Sequence, residues 1–221
     1  MATATAPALR SLADLHARLG GIPLDRIWMT PAPGTATEAD LLAAWTTPPH
    51  RRPELVDGVL VEKFGSLLGG VIVGALCSRV LGFVDAHELG LCLMGNLPFR
   101  LHPDLIRIPS FSFTPWERFP NGELPTEEIA SVVPALVVEV PNGTNTVPEL
   151  ERKVAEYFAA GCKLAWTIDP RAKTAKVYTS AKKFKELDAT GTLDGGKVLP
   201  GFTLPLADLF AATKRKKKKP R

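Results

Sequence analysis

Two side chains raise the question of chemistry first. Glu139 closes the apolar run Ala135-Leu136-Val137-Val138, which prolines bound on both sides. Such a short β-branched run reads as a strand buried on both faces over 134–140. A charge at its end is costly unless it is paired, protonated or bound to a cation. The next segment, 146–160, has helical periodicity, with Val147, Leu150, Val154, Tyr157 and Phe158 on one apolar face. Lys153 lies beside Val154, one turn after Glu149, at the edge of that face. The loop Asn142-Gly143-Thr144-Asn145 can fold the helix back on the strand end. Glu139 and Lys153 can therefore converge, either as an ordinary strand-to-helix ion pair or as half of a site.

Other chemistry is weakly represented. His16, His50, His87 and His102 are isolated, without metal-ligand spacing. The glycine pairs at 69–70 and 195–196 lack the strand-to-helix pattern of a phosphate loop. Ser110 and Ser112 have no Gly-x-Ser-x-Gly turn around them. Trp116 and Trp166 read as core or rim aromatics. Cys77, Cys92 and Cys162 are odd in number and far apart, which predicts reduced core residues in a cytoplasmic protein.

The elements that would position the pair follow from pattern. Leu9, Leu12, Leu15 and Leu19 share a helical face before Gly20-Gly21. Thr37-Glu38-Ala39-Asp40 has capping-box spacing and predicts a short helix through Trp45. PELVDGVLVEK (53–63) predicts a hairpin turning at Asp57-Gly58. Residues 66–88 predict one mostly buried helix, whose glycines at 69, 70 and 74 invite close approach of another element. The apolar stretch from Phe64 to Cys77 is shorter than the ~20 residues that span a bilayer, and the N-terminus lacks the apolar core of a secretory signal, so no membrane association is expected. Segments 91–101 and 105–113 predict an antiparallel pair around His102-Pro103-Asp104. Strands follow at 163–168, 174–179 and 183–188, and LPGFTLPLADLF (199–210) closes the body. This order predicts an α/β (α+β) protein with a mixed β-sheet flanked by helices. Its organisation reads as an N-terminal helix and loop (1–36), one domain (37–211) and a basic tail (212–221).

The chain has 221 residues, 45% hydrophobic and 23% charged, which suits one globular core. Its net charge of +4 conceals an asymmetry, because KRKKKKPR (214–221) carries seven basic side chains and the remainder is left at −3. Like charges in a block repel, so the tail is expected to be disordered. It can hold DNA or RNA phosphates or simply aid solubility, and it has no aromatic residue to stack on bases.

The span PALVVEV…ELERKVAEYFAAGCKLAWTIDPRAKTAKVY, with PELVDGVLVEK before it and LPGFTLPLADLF after it, resembles the Uma-type restriction endonucleases, a branch of the PD-(D/E)XK nuclease superfamily. The likeness covers about residues 37–211 and rests on the order and spacing of several motifs. It implies a restriction-endonuclease-like core and a metal-dependent DNA endonuclease, in which acidic residues hold Mg²⁺ or Mn²⁺ and a lysine assists. On this chain the strand glutamate falls on Glu139, as metal ligand. The superfamily's lysine position, two residues on, is Pro141 here, and the family's usual solution falls on Lys153. Glu54, in PELVDG, matches a recurring acidic position that would extend the site. The family's metal-binding aspartate in R-x-P-D-V-S-F falls on Ser110 of Arg107-Ile108-Pro109-Ser110-Phe111-Ser112-Phe113, a neutral hydroxyl in place of a carboxylate. Asp104, six residues upstream, would lie ~20 Å away along an extended strand and belongs with the turn. Two further departures are Pro141-Asn142-Gly143 in place of Ser-Pro-Ser and a long helix that begins without the usual histidine. The resemblance therefore implies either an endonuclease impaired at Ser110 or a catalytically inactive nuclease-fold module that binds nucleic acid or a partner. Many endonucleases of this fold act as homodimers.

Overall fold

Alternation of apolar residues along the strands decides how the layers form. The computed structural model describes residues 11–95 and 97–213. Leu9 and the basic run 214–221 lie outside them. The elements, joined in places by short 3-10 turns, are α1 (Leu12–Arg18), α2 (Glu38–Thr46), β1 (Glu54–Val56), β2 (Val59–Val61), α3 (Leu67–Ala86), β3 (Gly90–Met94), β4 (Phe99–His102), β5 (Leu105–Arg107), β6 (Phe111–Pro115), β7 (Leu136–Glu139), α4 (Val147–Ala159), β8 (Leu164–Asp169), β9 (Thr174–Ser180), β10 (Lys183–Leu187), β11 (Thr192–Asp194), β12 (Thr203–Pro205) and α5 (Leu206–Ala211).

Six strands form the main sheet in the order β10-β9-β8-β7-β6-β3. Only β7 and β8 within it run parallel, and α4 supplies the crossover that a parallel pair requires. Residues two apart share a sheet face. Thus Leu136 and Val138 of β7, Trp166 and Ile168 of β8, and Phe111 and Phe113 of β6 join the core that holds Ile72, Leu76, Val80 and Val84 of α3. The opposite parity, Val137 and Ala165, packs with Val154 and Tyr157 of α4. A smaller antiparallel sheet, ordered β2-β1-β5-β4, packs against α1 and α2 through Leu15, Leu19 and Leu41. The fold is a mixed α/β arrangement, as the pattern of elements predicted.

The β1–β2 hairpin turns at Asp57 and Gly58, both with positive φ, as a two-residue turn requires. A Cβ on Gly58 would stand 2.7 Å from the Gly34 carbonyl carbon, so only glycine fits there. The capping box on α2 forms between Thr37 and Asp40.

Four expectations need correction. The antiparallel pair predicted over 91–101 and 105–113 forms around its turn but does not stay in one sheet: β4 and β5 pair in the small sheet, and β3 and β6 pair in the large one. Helix α3 is not mostly buried. Its i, i+4 stripe Ile72-Leu76-Val80-Val84 is covered, whereas Leu67, Val71 and Leu81 are exposed, and by length and composition alone the helix could cross a membrane. A Cβ added to Gly69 would touch Val140, but at Gly70 and Gly74 it would meet nothing within 4 Å, so those two face open space. Leu12 is exposed, and the buried face of α1 is carried by Leu15 together with Leu19 just beyond the helix.

The cysteines are thiols. Burial pushes Cys162 up to about 11 and Cys92 up to about 12. At pH 8 both should therefore alkylate with iodoacetamide far more slowly in the native protein than in urea. Peptide mass spectrometry would check this, and equal rates in the two states would contradict it.

Candidate active site

Strand register builds the site. The β1–β5 pairing Leu55↔Ile106 and Val56↔Leu105, continued one step, sets Glu54 opposite Arg107. Arg107 Nη1 donates to Glu54 Oε2 at 2.8 Å, and the Ile108 N–H donates to Oε1 at 3.0 Å. Lys153 Nζ reaches both oxygens, at 3.0 and 2.9 Å. Burial pushes the Glu54 carboxyl up, but the charges of Lys153 and then Arg107 outweigh it and hold it well below the carboxylate range.

The β6–β7 register does the same for the second half. Ser112 faces Val137 and Phe111 faces Val138, so the next step sets Ser110 opposite Glu139. Ser110 Oγ lies 3.4 Å from Glu139 Oε2 and accepts the Val140 N–H at 3.1 Å. Tyr157 donates its hydroxyl to Glu139 Oε1 at 2.7 Å, and Lys153 Nζ stands 3.7 Å from the same oxygen.

On α4, Glu149, Lys153 and Tyr157 recur every four residues, and all three are buried against the sheet. Val147, expected on the inward face, is exposed. Burial alone would pull the Lys153 ammonium down, yet Glu139 and Glu54 together raise it. Burial, reinforced by the same two carboxylates, raises the Tyr157 phenol well above its ordinary value, so it stays a neutral donor.

Sequence reasoning missed a second lysine. Lys63, two residues beyond β2, places Nζ 3.9 Å from Glu139 Oε2 and donates to the Ile108 carbonyl. Burial pulls its ammonium below the ordinary lysine value, with Glu139 the strongest opposing influence. Arg107 was also missed as a partner of Glu54. Both lie inside motifs quoted for other reasons, and the signal for Arg107 was the strand register. The four residues singled out, Glu54, Ser110, Glu139 and Lys153, come together at one end of the two sheets. Asp104 sits in the β4–β5 turn, where its carbonyl accepts the Asp57 N–H.

A cavity of about 460 Å³ opens over this cluster. Lys63, Ser110, Glu139 and Lys153 line its floor, and Gly70 and Gly74 of α3 form part of its wall. Arg52, Lys63 and Lys153 bring three cations to the lining against one carboxylate, Glu139.

Mg²⁺ and Mn²⁺ call for several oxygen ligands with compensating negative charge. Here Ser110 is neutral, Glu54 is saturated by Arg107, Lys153 and the Ile108 N–H, and a lysine stands against Glu139. Among the described residues no group of three His, Cys, Asp or Glu side chains is placed to hold a metal ion. The donor set does not fit a divalent cation.

A carboxylate at the end of β7 and a lysine from the crossover helix α4 thus meet within a mixed α/β fold. A solved structure shares it: a putative nuclease belonging to DUF820 from Anabaena variabilis, with a TM-score of 0.67 and 20% sequence identity, the match covering 80% of this chain and 98% of that one. The chain belongs to the Uma2 family, described as "Putative restriction endonuclease", whose pattern matches residues 39–207. No curated protein matches the chain.

Proposed function

We propose that this protein binds the phosphodiester backbone of DNA in the cavity over Glu139 and does not cleave it through a divalent cation. The observation that carries this reading is the charge of the lining, Arg52 and Lys63 beside one carboxylate while Lys153 is paired with Glu54, with a serine at the position facing that carboxylate. Such a lining favours an anion over a cation, and family membership makes a nucleic-acid phosphate the natural anion. Lys63 and Arg52 would take the phosphate oxygens. Lys153, fully engaged with Glu54, would hold the floor. The basic run 214–221 would add sequence-independent affinity.

Fluorescence anisotropy of a labelled duplex with the full-length protein in EDTA tests the reading. Binding should persist without metal, weaken with salt, and lose about one unit of its salt slope in Lys63→Met. Plasmid incubated with Mn²⁺ should stay intact. Mn²⁺-dependent nicking that disappears in Glu139→Ala would overturn the proposal and establish an endonuclease. An unchanged salt slope in Lys63→Met would remove the cavity as the contact surface.

A further inference from the structure

We propose that the Lys63 ammonium takes the place of a divalent cation at Glu139, giving the carboxylate a tethered counter-ion and closing the site to metal. The inference concerns metal alone and would stand if the cavity bound no DNA.

Two oxygens face the end of this side chain, and a third lies beside one of them. Nζ donates to the Ile108 carbonyl, stands 3.9 Å from Glu139 Oε2, and that same carboxylate oxygen lies 3.4 Å from Ser110 Oγ. A backbone carbonyl, a strand-end carboxylate and the side chain at position 110 are the kind of oxygen set that a hard cation collects. Here an ammonium holds the carbonyl and stands beside the carboxylate. The local charge agrees. Glu54 is already bound by Arg107 and Lys153, which leaves Glu139 as the carboxylate that the Lys63 ammonium faces, with Lys153 3.7 Å from its other oxygen. A divalent ion in that position would need a second carboxylate, and position 110 offers a hydroxyl.

The lysine is aimed by its backbone. Arg26 Nε donates to the Glu62 carbonyl at 2.9 Å, and the Glu62 N–H donates to the Arg26 carbonyl at 2.7 Å, so the residue before Lys63 is pinned on both sides. The stem then lies in the cavity, with its side chain 22% exposed. Placing a carboxylate at position 110 would not by itself admit metal, because the new carboxylate would face the same ammonium and pair with it. Both changes are needed.

Mn²⁺ binding to the full-length protein, read from the electron paramagnetic resonance signal of free Mn²⁺, tests this without DNA. Wild type and Ser110→Asp should bind weakly and alike. The double variant Lys63→Met/Ser110→Asp should bind at least about tenfold more tightly than Ser110→Asp, a difference of about 1.4 kcal/mol. Adding Glu139→Gln to the double variant should abolish the gain. If Ser110→Asp binds as tightly as the folded double variant, or wild type does, Lys63 is not the barrier and the proposal fails. Lys63→Gln/Ser110→Asp, whose amide can keep the bond to the Ile108 carbonyl, covers the case of a Met/Asp variant that does not fold. Its melting temperature should rise with Mn²⁺ while that of wild type stays fixed, and equal shifts would overturn the proposal.

Discussion

Glu54→Ala is expected to be the most damaging single change at the cavity floor, lowering stability by about 3–5 kcal/mol. The wild-type carboxylate is fully buried and accepts from Arg107, Lys153 and the Ile108 N–H. Removing it leaves two buried cations with less compensation and one backbone donor with none. Arg107 keeps Glu156 at 2.7 Å, but among the described residues Lys153 is left with Glu139, at 3.7 Å, as its ion pair. An uncompensated ammonium in a dry interior is far costlier than a lost surface pair. Urea unfolding at pH 7 reads the loss as a lower midpoint with an unchanged slope. Lys153→Met should cost clearly less in the Glu54→Ala background than in wild type, because its principal partner is already gone. Strictly additive costs would show that the two residues do not act as a unit.

This pairing also shows how far the sequence could be read. The strand ending at Glu139, the helix carrying Lys153 and the Asp57-Gly58 hairpin were legible because each is local: a β-branched run, a 3.6-residue period, a turn dipeptide. Proximity of Glu139 and Lys153 was legible from a short connecting loop. What Glu54 does was not, since its surroundings come from β5, more than 50 residues away in the chain. Nothing local says that β5 lies beside β1 in a second sheet, and 91–113 reads as one hairpin until the breaks after Met94 and Arg107 are seen. Lys63 was invisible for a related reason. A lysine just past a hairpin is ordinarily solvated, and only the pinning of Glu62 by Arg26 turns this one inward. Glu149 is a parallel case: nothing local announces its burial, which comes about because an arginine from the N-terminal segment meets it.

That arginine carries the second large expected effect. Arg26 is 1% exposed and forms a two-pronged contact with Glu149, Nη1 to Oε2 at 2.9 Å and Nη2 to Oε1 at 2.7 Å. It also donates to the carbonyls of Thr144 and Glu62. It thereby fixes the N-terminal segment and the base of the Lys63 side chain to the start of α4. Arg26→Met should cost about 3–5 kcal/mol at pH 7, since it strands a buried carboxylate and orphans two carbonyls. The pH dependence separates these causes. Burial pushes the Glu149 carboxyl up, but the Arg26 hydrogen bonds, with Lys153 behind them, hold it below its ordinary value. A depressed carboxyl stabilises the folded state fully above the unfolded value of about 4.3, and that contribution fades as pH falls through the folded value. In Arg26→Met burial loses its main opponent, the carboxyl rises, and protonation relieves the stranded charge. The stability gap between wild type and variant should therefore be wide at pH 7 and narrower at pH 4, by urea unfolding at both. A gap of equal width at the two pH values would mean that Arg26 acts through its carbonyl contacts and packing, and not through the ionised Glu149.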